Sequence, residues 1–150
     1  MTATTIRPIV EAFYRANAER DIEAALSLID DKVDWLVQGP VDVFAFFGQR
    51  HGKAAVIEGY REIARQLDVT GFRVETLLVD GDRAAALIRY SAIVRATSKV
   101  MSVRTSQFSR FAGGKIVEMR GIVDSYDLVE QAIGSPLGLI DTDVGLVPAG

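Results

Sequence analysis

The sequence contains no cysteine, and His51 is its only histidine. The missing cysteines exclude disulfide bonds, thiolate nucleophiles and cysteine-based metal sites, and they fit a reducing compartment. One histidine without cysteine provides no recognisable set of metal ligands. We therefore expect a protein without a metal ion.

Other features that define large functional classes are also missing. The formal net charge is −3 and the basic residues are scattered, so we expect no nucleic-acid partner. No apolar run is long enough to cross a membrane, and residues 1–5 do not resemble a signal peptide. No dinucleotide motif occurs, and residues 48–54 (GQRHGKA) depart from the phosphate-loop pattern in spacing and at Ala54. We expect a cytoplasmic protein that uses no cofactor.

The segments that are present follow an informative order. The 150 residues suit one domain, with helical periodicity in the first part and strand alternation in the second. The first helix is predicted over 6–17, and Asp21 is predicted to cap a second helix. The third helix is predicted to follow Gly52. The apolar positions of the second and third helices are Ile22, Ala25, Leu26 and Ile29, and Val56, Tyr60, Ile63 and Leu67.

Strand patterns account for most of the remaining sequence. A first strand is predicted around Trp35, and four more are predicted at about 72–79, 83–95, 101–111 and 116–125. Tight turn signals between them indicate antiparallel hairpins. The strand at 83–95 has one apolar face (Ala84, Ala86, Ile88, Tyr90, Ala92, Val94) and one mixed face that carries Arg89. The glycines and prolines of 134–150 predict an irregular tail.

Four short segments carry a resemblance to a known family. Residues 14–21 (YRANAERD), 48–56 (GQRHGKAAV), 114–120 (GKIVEMR) and 124–127 (DSYD) resemble, in this order, segments of the SnoaL-like proteins of the NTF2-like superfamily. The resemblance implies an α+β cone in which three N-terminal helices pack on a strongly curved, mainly antiparallel sheet around an internal pocket. It also implies a homodimer formed through the outer sheet face.

Two kinds of enzyme with this fold are poorly matched. Steroid isomerases use an Asp base with a Tyr and a protonated Asp as oxyanion donors. Their base would fall at Gly39, the protonated Asp at Gln107, and the Tyr at Phe13 or Tyr14. Limonene-type epoxide hydrolases use an Asp–Arg–Asp set, which would fall at Ser91, Arg89 and Gly121, so only the arginine is retained.

Polyketide cyclases of the SnoaL-like group use a pocket Asp, with His or Asn as helpers. That resemblance implies Asp124 and His51 as catalytic candidates. Their structural alternatives are a cap for the following turn or an ion pair with an arginine for Asp124, and a surface loop for His51. Five further residues are candidates for ligand binding, although packing or ion pairing would also explain them: Tyr14, Trp35, Tyr60, Arg89 and Gln107.

Three functions therefore stay open. The first is a protein that binds a hydrophobic, oxygenated ring compound and that acts on it, if it is an enzyme, by acid–base chemistry. The second is a non-catalytic ligand-binding or dimerisation module that has lost the acidic positions. The third is a protein-interaction surface formed by Phe44, Phe46 and Phe47, which requires those rings to be exposed.

Overall fold

Three helices cover one face of the sheet, and each begins at a recognisable signal. The computed structural model describes residues 6–133, 139–141 and 145–147. Helix α1 (Arg7–Ala18) has Pro8 in its first turn, where a missing N–H costs nothing. Helix α2 (Ile22–Ser27) is capped by Asp21, whose carboxylate accepts a hydrogen bond from Ala24 N at 3.2 Å. Helix α3 (Lys53–Gln66) follows Gly52, which has a φ of 84°.

Six strands form the sheet in the order β2-β1-β6-β5-β4-β3. All neighbours are antiparallel except β1 and β6, which are parallel. The sheet is therefore mainly antiparallel, as the resemblance implied. The strands are β1 (Ile29–Gln38), β2 (Gly48–His51), β3 (Leu67–Asp80), β4 (Arg83–Val94), β5 (Val100–Ala112) and β6 (Lys115–Val123).

The sheet curves around the helices, and its register explains part of the curvature. The pairing of β3 with β4 shifts twice, once between Val69 and Gly71 and once between Val74 and Thr76. Such irregularities bend a strand and increase its twist. The apolar face of β4 turns inward, where Ala84, Ala86 and Ile88 join one buried cluster with residues of α1 and α3. The α+β cone predicted from the sequence is confirmed.

Three local predictions were wrong. Ile29 begins β1 instead of ending α2, because it is fully buried in register with Ile116 of β6. Residues 48–51 form an edge strand and not a loop, since they pair with β1. The last long strand ends at Val123, and a fourth helix, α4 (Ser125–Ile133), follows it.

The segment 134–150 is described only in part. Strands β7 (Leu139–Asp141) and β8 (Gly145–Val147) pair as an antiparallel hairpin, so these six residues are regular where the sequence predicts irregular structure. Glycine and proline content does not exclude strands of three residues, which explains the difference. The other residues of the segment lie outside the described part. Within the described chain, no helix is long and apolar enough to cross a membrane.

Candidate functional site

A cavity of about 380 Å³ lies between the helices and the concave face of the sheet. Its walls are mostly apolar and come from α3, from the inner face of the sheet and from the segment between β1 and β2. Trp35 and Val37 of β1 face Val56, Tyr60 and Ile63 of α3 across it, and Phe46 and Phe47 form part of the wall. This volume is typical of small-molecule sites.

Tyr60 carries a polar group into this apolar space. Its hydroxyl donates to Asn17 Oδ1 at 2.9 Å, and Asn17 Nδ2 donates to the Phe13 carbonyl at 2.9 Å. The second bond fixes the amide so that its oxygen faces the phenol. Burial raises the pKa of Tyr60 well above its ordinary value, although the Asn17 hydrogen bond opposes this shift. Tyr60 is therefore a neutral phenol at physiological pH.

A second phenol supports an amide in the cavity wall. The Tyr14 hydroxyl donates to Gln107 Oε1 at 3.0 Å, and Tyr14 is only 4% exposed. Burial raises the pKa of Tyr14 well above its ordinary value, and Tyr60 adds to the shift. Gln107 lines the cavity, whereas Tyr14 lies behind it. With Oε1 occupied by Tyr14, the Nε2 amide hydrogens of Gln107 remain for a ligand.

Tyr90 completes a group of three phenols. It lines the cavity, and its ring packs edge-on against Phe72 at a centroid distance of 6.1 Å. Burial raises its pKa, Tyr60 adds to the shift and Arg20 opposes it. Its hydroxyl forms no hydrogen bond with any described residue, so this O–H is available to a ligand.

Charged groups in the described part of the cavity wall are few and mostly basic. They are Asp68, Arg20, Arg50 and Arg95, of which only Arg50 is half-buried and the others are exposed. Asp68 is thus the one described carboxylate of the wall, and solvent reaches it. Among the described residues, no group of histidine, cysteine and acidic side chains is arranged to hold a metal ion.

A sequence profile of the SnoaL-like domain matches residues 10–119. The chain belongs to the SnoaL-like family. It is also 37% identical to a proposed isomerase from Rhodopseudomonas palustris, over 89% of this chain and 98% of that one, with a TM-score of 0.74. The NTF2-like fold predicted from the sequence is therefore confirmed.

Other solved structures agree with this fold. A proposed polyketide cyclase from Pseudomonas putida KT2440 is 25% identical, with 87% of this chain and 98% of that one covered and a TM-score of 0.69. An NTF2-like protein of unknown function from Burkholderia pseudomallei K96243 is 17% identical, with 88% and 98% covered and a TM-score of 0.76. A search of curated proteins finds no match.

Four of the predicted ligand-binding residues of this SnoaL-like protein lie at or behind the cavity. Trp35, Tyr60 and Gln107 are part of its wall, and Tyr14 holds Gln107 from behind. Their role in binding stays a prediction. Arg50 of β2 is paired with Trp35 of β1, so a cationic residue lies next to the indole-bearing residue in the sheet.

The fifth, Arg89, faces away from the cavity. It lies on the outer face of β4, where Arg73 and Arg104 are its partners on the neighbouring strands. Its Nη1 donates to Ser102 Oγ at 3.5 Å, a long hydrogen bond. The apolar alternation of β4 directs even-numbered residues inward, and Arg89 is out of phase with them. The prediction that Arg89 lines the ligand site is therefore wrong, because its side chain is on the opposite face of the sheet.

Neither catalytic candidate reaches the cavity. Asp124 is exposed and caps α4, because its Oδ1 accepts from Asp127 N at 3.2 Å and its carbonyl accepts from Leu128 N at 3.0 Å. His51 is exposed at the end of the edge strand β2. Asp124 therefore acts as a cap, as its structural alternative proposed, although it caps a helix and not a turn. His51 is at the surface, although in an edge strand and not in a loop.

Two of the positions at which the related enzymes would carry acids, Gly39 and Gly121, have little room for a side chain. A Cβ at Gly39 would lie 2.7 Å from the ring of Phe47, and a Cβ at Gly121 would lie 3.2 Å from Val37. The aromatic segment turns inward: Phe44 is 3% exposed, and Phe46 and Phe47 line the cavity. The hypothesis that these three rings form a protein-interaction surface is thus excluded, because it requires them to be exposed.

Sequence reasoning missed several residues of the wall. The sequence pattern assigned Tyr90 to the inner face of β4 but gave it no functional role. The signal that could have found it was a phenol among the small and aliphatic residues of that face. Asn17, Arg20, Arg50 and Arg95 were not singled out at all. Arg20 and Arg95 lie next to element ends, where a sequence gives no direction for the side chain.

Proposed function

We propose that this SnoaL-like protein binds a small, hydrophobic, oxygenated ring compound in the cavity. One observation carries the proposal: an apolar cavity of about 380 Å³ that contains the neutral polar groups of Tyr60, Tyr90 and Gln107. Apolar walls with a few placed hydrogen-bonding groups are what ligand sites of this size have in common.

The polar groups define what the ligand must offer. Tyr90 has a free O–H and Gln107 has free amide hydrogens, so both donate to an oxygen of the ligand. Burial raises the pKa of the Tyr90 phenol, which keeps its proton in place at neutral pH. A ketone, quinone or lactone oxygen on a ring system suits these donors, while the carbon skeleton contacts Trp35 and the aliphatic wall.

Catalysis is the second candidate, and a specific pair of residues favours it. Gln107 stands where one oxyanion donor of the related isomerases would fall, and the other would fall at Phe13 or Tyr14. Tyr14 donates a 3.0 Å hydrogen bond to Gln107 and so orients its amide. The cavity could thus stabilise an enolate oxygen without a cofactor. No side chain at position 39 can act as base, and Asp124 and His51 lie outside the cavity. Binding without turnover is therefore the function that we favour.

The test uses a neutral fluorescent probe, N-phenyl-1-naphthylamine. We expect its fluorescence to rise on binding and Trp35 emission to fall through energy transfer. Ala64→Trp introduces bulk at an exposed position of the cavity wall on α3, and it should abolish binding. Ala54→Trp is the matched control on the same helix, since Ala54 is exposed and outside the wall. Equal binding by both variants would refute the proposal.

We also propose that two copies associate through the outer sheet face, as the family resemblance implies. Phe108 and Ile122 are 52% and 51% exposed on neighbouring strands of that face. Large apolar side chains that stay exposed together are typical of association surfaces. The cytoplasmic location and the lack of a nucleic-acid partner stay predictions.

A further inference from the structure

The charge in the cavity wall has the opposite sign to the charge of the whole protein. The chain carries a formal net charge of −3, yet the described wall contains three arginines and one aspartate. A concave, mostly apolar surface strengthens the field of a half-buried cation such as Arg50, because less water screens it there than at an open surface. The charged residues of the described wall therefore favour an anionic ligand over a cationic one.

Arg50 is the innermost of these cations. Its Nη1 donates to the Ala55 carbonyl at 2.9 Å and its Nη2 to the Ala45 carbonyl at 3.0 Å. Its Nε is buried without a partner among the described residues, against the backbone of Gly59, where a Cβ would come within 2.9 Å of it. Two of the five guanidinium hydrogens are thus bonded, and one more on each Nη is free.

Arg50 forms no ion pair within 4 Å with any described carboxylate, although Glu58 lies close enough to interact with it. The hydrogen bond from Arg61 is the main cause that lowers the pKa of Glu58, and Arg50 contributes only as one of several weaker charges. Glu58 forms its ion pairs with Arg61 and Arg65. The guanidinium of Arg50 is half-buried and donates its hydrogen bonds only to carbonyls, and burying such a cation is costly unless an anion compensates it.

Two further arginines lie at the exposed part of the wall. Arg95 donates from Nε to the Ala64 carbonyl at 3.0 Å, which fixes it beside the end of α3. Arg20 has a left-handed φ of 58° between α1 and α2, and it lies close enough to Tyr90 to lower the pKa of that phenol. Neither forms an ion pair with a described carboxylate within 4 Å, Asp68 included.

We propose that the ligand of this cavity is an anion: a ring compound with a carboxylate group that pairs with Arg50, while Arg20 and Arg95 attract it at the entrance. The inference rests on the proposed binding function and narrows its ligand class. The carboxylate accepts the free Nη hydrogens and supplies the missing countercharge, which makes the hydrogen bonds charge-assisted. The ring occupies the apolar space beside Trp35.

The experiment compares two isosteric competitors, 1-naphthoate and 1-naphthamide, by their displacement of N-phenyl-1-naphthylamine at pH 7. We expect the carboxylate to bind about tenfold more tightly than the amide, as a charge-assisted bond predicts. Arg50→Gln should remove most of this preference, and Arg50→Lys should retain part of it. Arg95→Gln should reduce it by about threefold, a typical effect of an exposed charge. Arg83→Gln is the control, because Arg83 is exposed at the opposite end of β4, outside the wall.

The possible failures are distinguishable. If the probe does not bind, or if it binds Ala64→Trp unchanged, the proposed function fails and the inference fails with it. If the probe binds in the cavity but the two competitors are equal, only the anionic ligand is refuted. The same conclusion follows if Arg50→Gln and Arg95→Gln both bind the probe and keep the full preference. Retained probe binding by each variant serves as the check that its cavity is folded.

Discussion

The ring of Phe47 fills the space into which a side chain at Gly39 would project. A Cβ at position 39 would lie 2.7 Å from ring atoms Cγ and Cδ1, closer than real Cβ atoms approach. Position 39 is where the catalytic base of the related isomerases would fall. The ring of Phe47 therefore occupies the space that a carboxylate side chain at position 39 would need.

This relationship predicts a coupling between the two positions. Gly39→Ala should reduce the free energy of unfolding by about 1–3 kcal/mol, because the methyl group overpacks against the ring. In a Phe47→Ala background the same change should cost much less, since the ring is gone. Urea unfolding of the four proteins measures the coupling. Gly71→Ala is the control, as its Cβ would meet Ser91 at an ordinary 3.4 Å; equal costs in both backgrounds would contradict the argument.

Sequence periodicity was sufficient for the fold where each element has one buried face. The alternation in β4 gave the correct inner face, and the spacing of Val56, Tyr60 and Ile63 gave the correct face of α3. It failed at β2, because a four-residue edge strand of Gly, Gln, Arg and His has no apolar alternation to detect. It also missed α4. The apolar strand residues Ile122 and Val123 are followed directly by the capping residue Asp124, so the pattern shows no break between strand and helix.

The site was harder to predict than the fold, for two physical reasons. A polar residue adjacent to an apolar face can point to either side, so Arg89 was assigned to the ligand although it lies on the outer face. The hydrogen bond between Tyr14 and Gln107 joins residues 93 positions apart, and only the tertiary structure brings them together. Family resemblance pointed to both positions without indicating that one supports the other.

The placement of Asp124 predicts a structural and not a functional phenotype. Asp124→Ala should lower the free energy of unfolding by about 1 kcal/mol, because α4 loses its cap, and Asp124→Asn should restore most of it. Neither variant should change the affinity for N-phenyl-1-naphthylamine. The same holds for His51→Ala. Chemical denaturation measures stability and probe titration measures affinity. A loss of affinity without a loss of stability would contradict the structural role and show that Asp124 takes part in ligand binding.

The buried phenols predict a loss of stability in alkali. Burial raises the pKa values of Tyr14, Tyr60 and Tyr90 above the ordinary value of 10.0. The folded state therefore holds these protons more tightly than the unfolded state does. Their contribution to the free energy of unfolding is fully present below pH 10. It is lost as the pH rises further, and each phenol lowers this free energy by at most about 1.4 kcal/mol per pH unit. Tyr60→Phe should make the measured decline between pH 9.5 and 11 less steep; an unchanged slope would mean that this phenol titrates alike in both states.

The outer sheet face predicts a specific effect on assembly. Phe108→Glu and Ile122→Glu should convert a dimer into a monomer, because each puts a charge into the apolar contact. Size-exclusion chromatography with light scattering measures the mass directly. Val41→Glu is a suitable control, since Val41 is 50% exposed but lies in the turn between β1 and β2, away from that face. A wild-type protein that is monomeric at high concentration would exclude the interface.

The pair formed by Tyr14 and Gln107 allows binding and stability to be measured at one site. Tyr14→Phe leaves Gln107 Oε1 without its donor and should cost about 1 kcal/mol of unfolding free energy. It should also weaken the binding of 1-naphthamide more than the binding of N-phenyl-1-naphthylamine. The carbonyl of 1-naphthamide needs an oriented amide donor, and N-phenyl-1-naphthylamine has no carbonyl. Gln107→Leu should produce the same selective loss, and the double variant should lose less than the sum, because either change alone already breaks the bond. If both probes weaken equally in every variant, Gln107 serves only as wall surface and its amide does not contact the ligand.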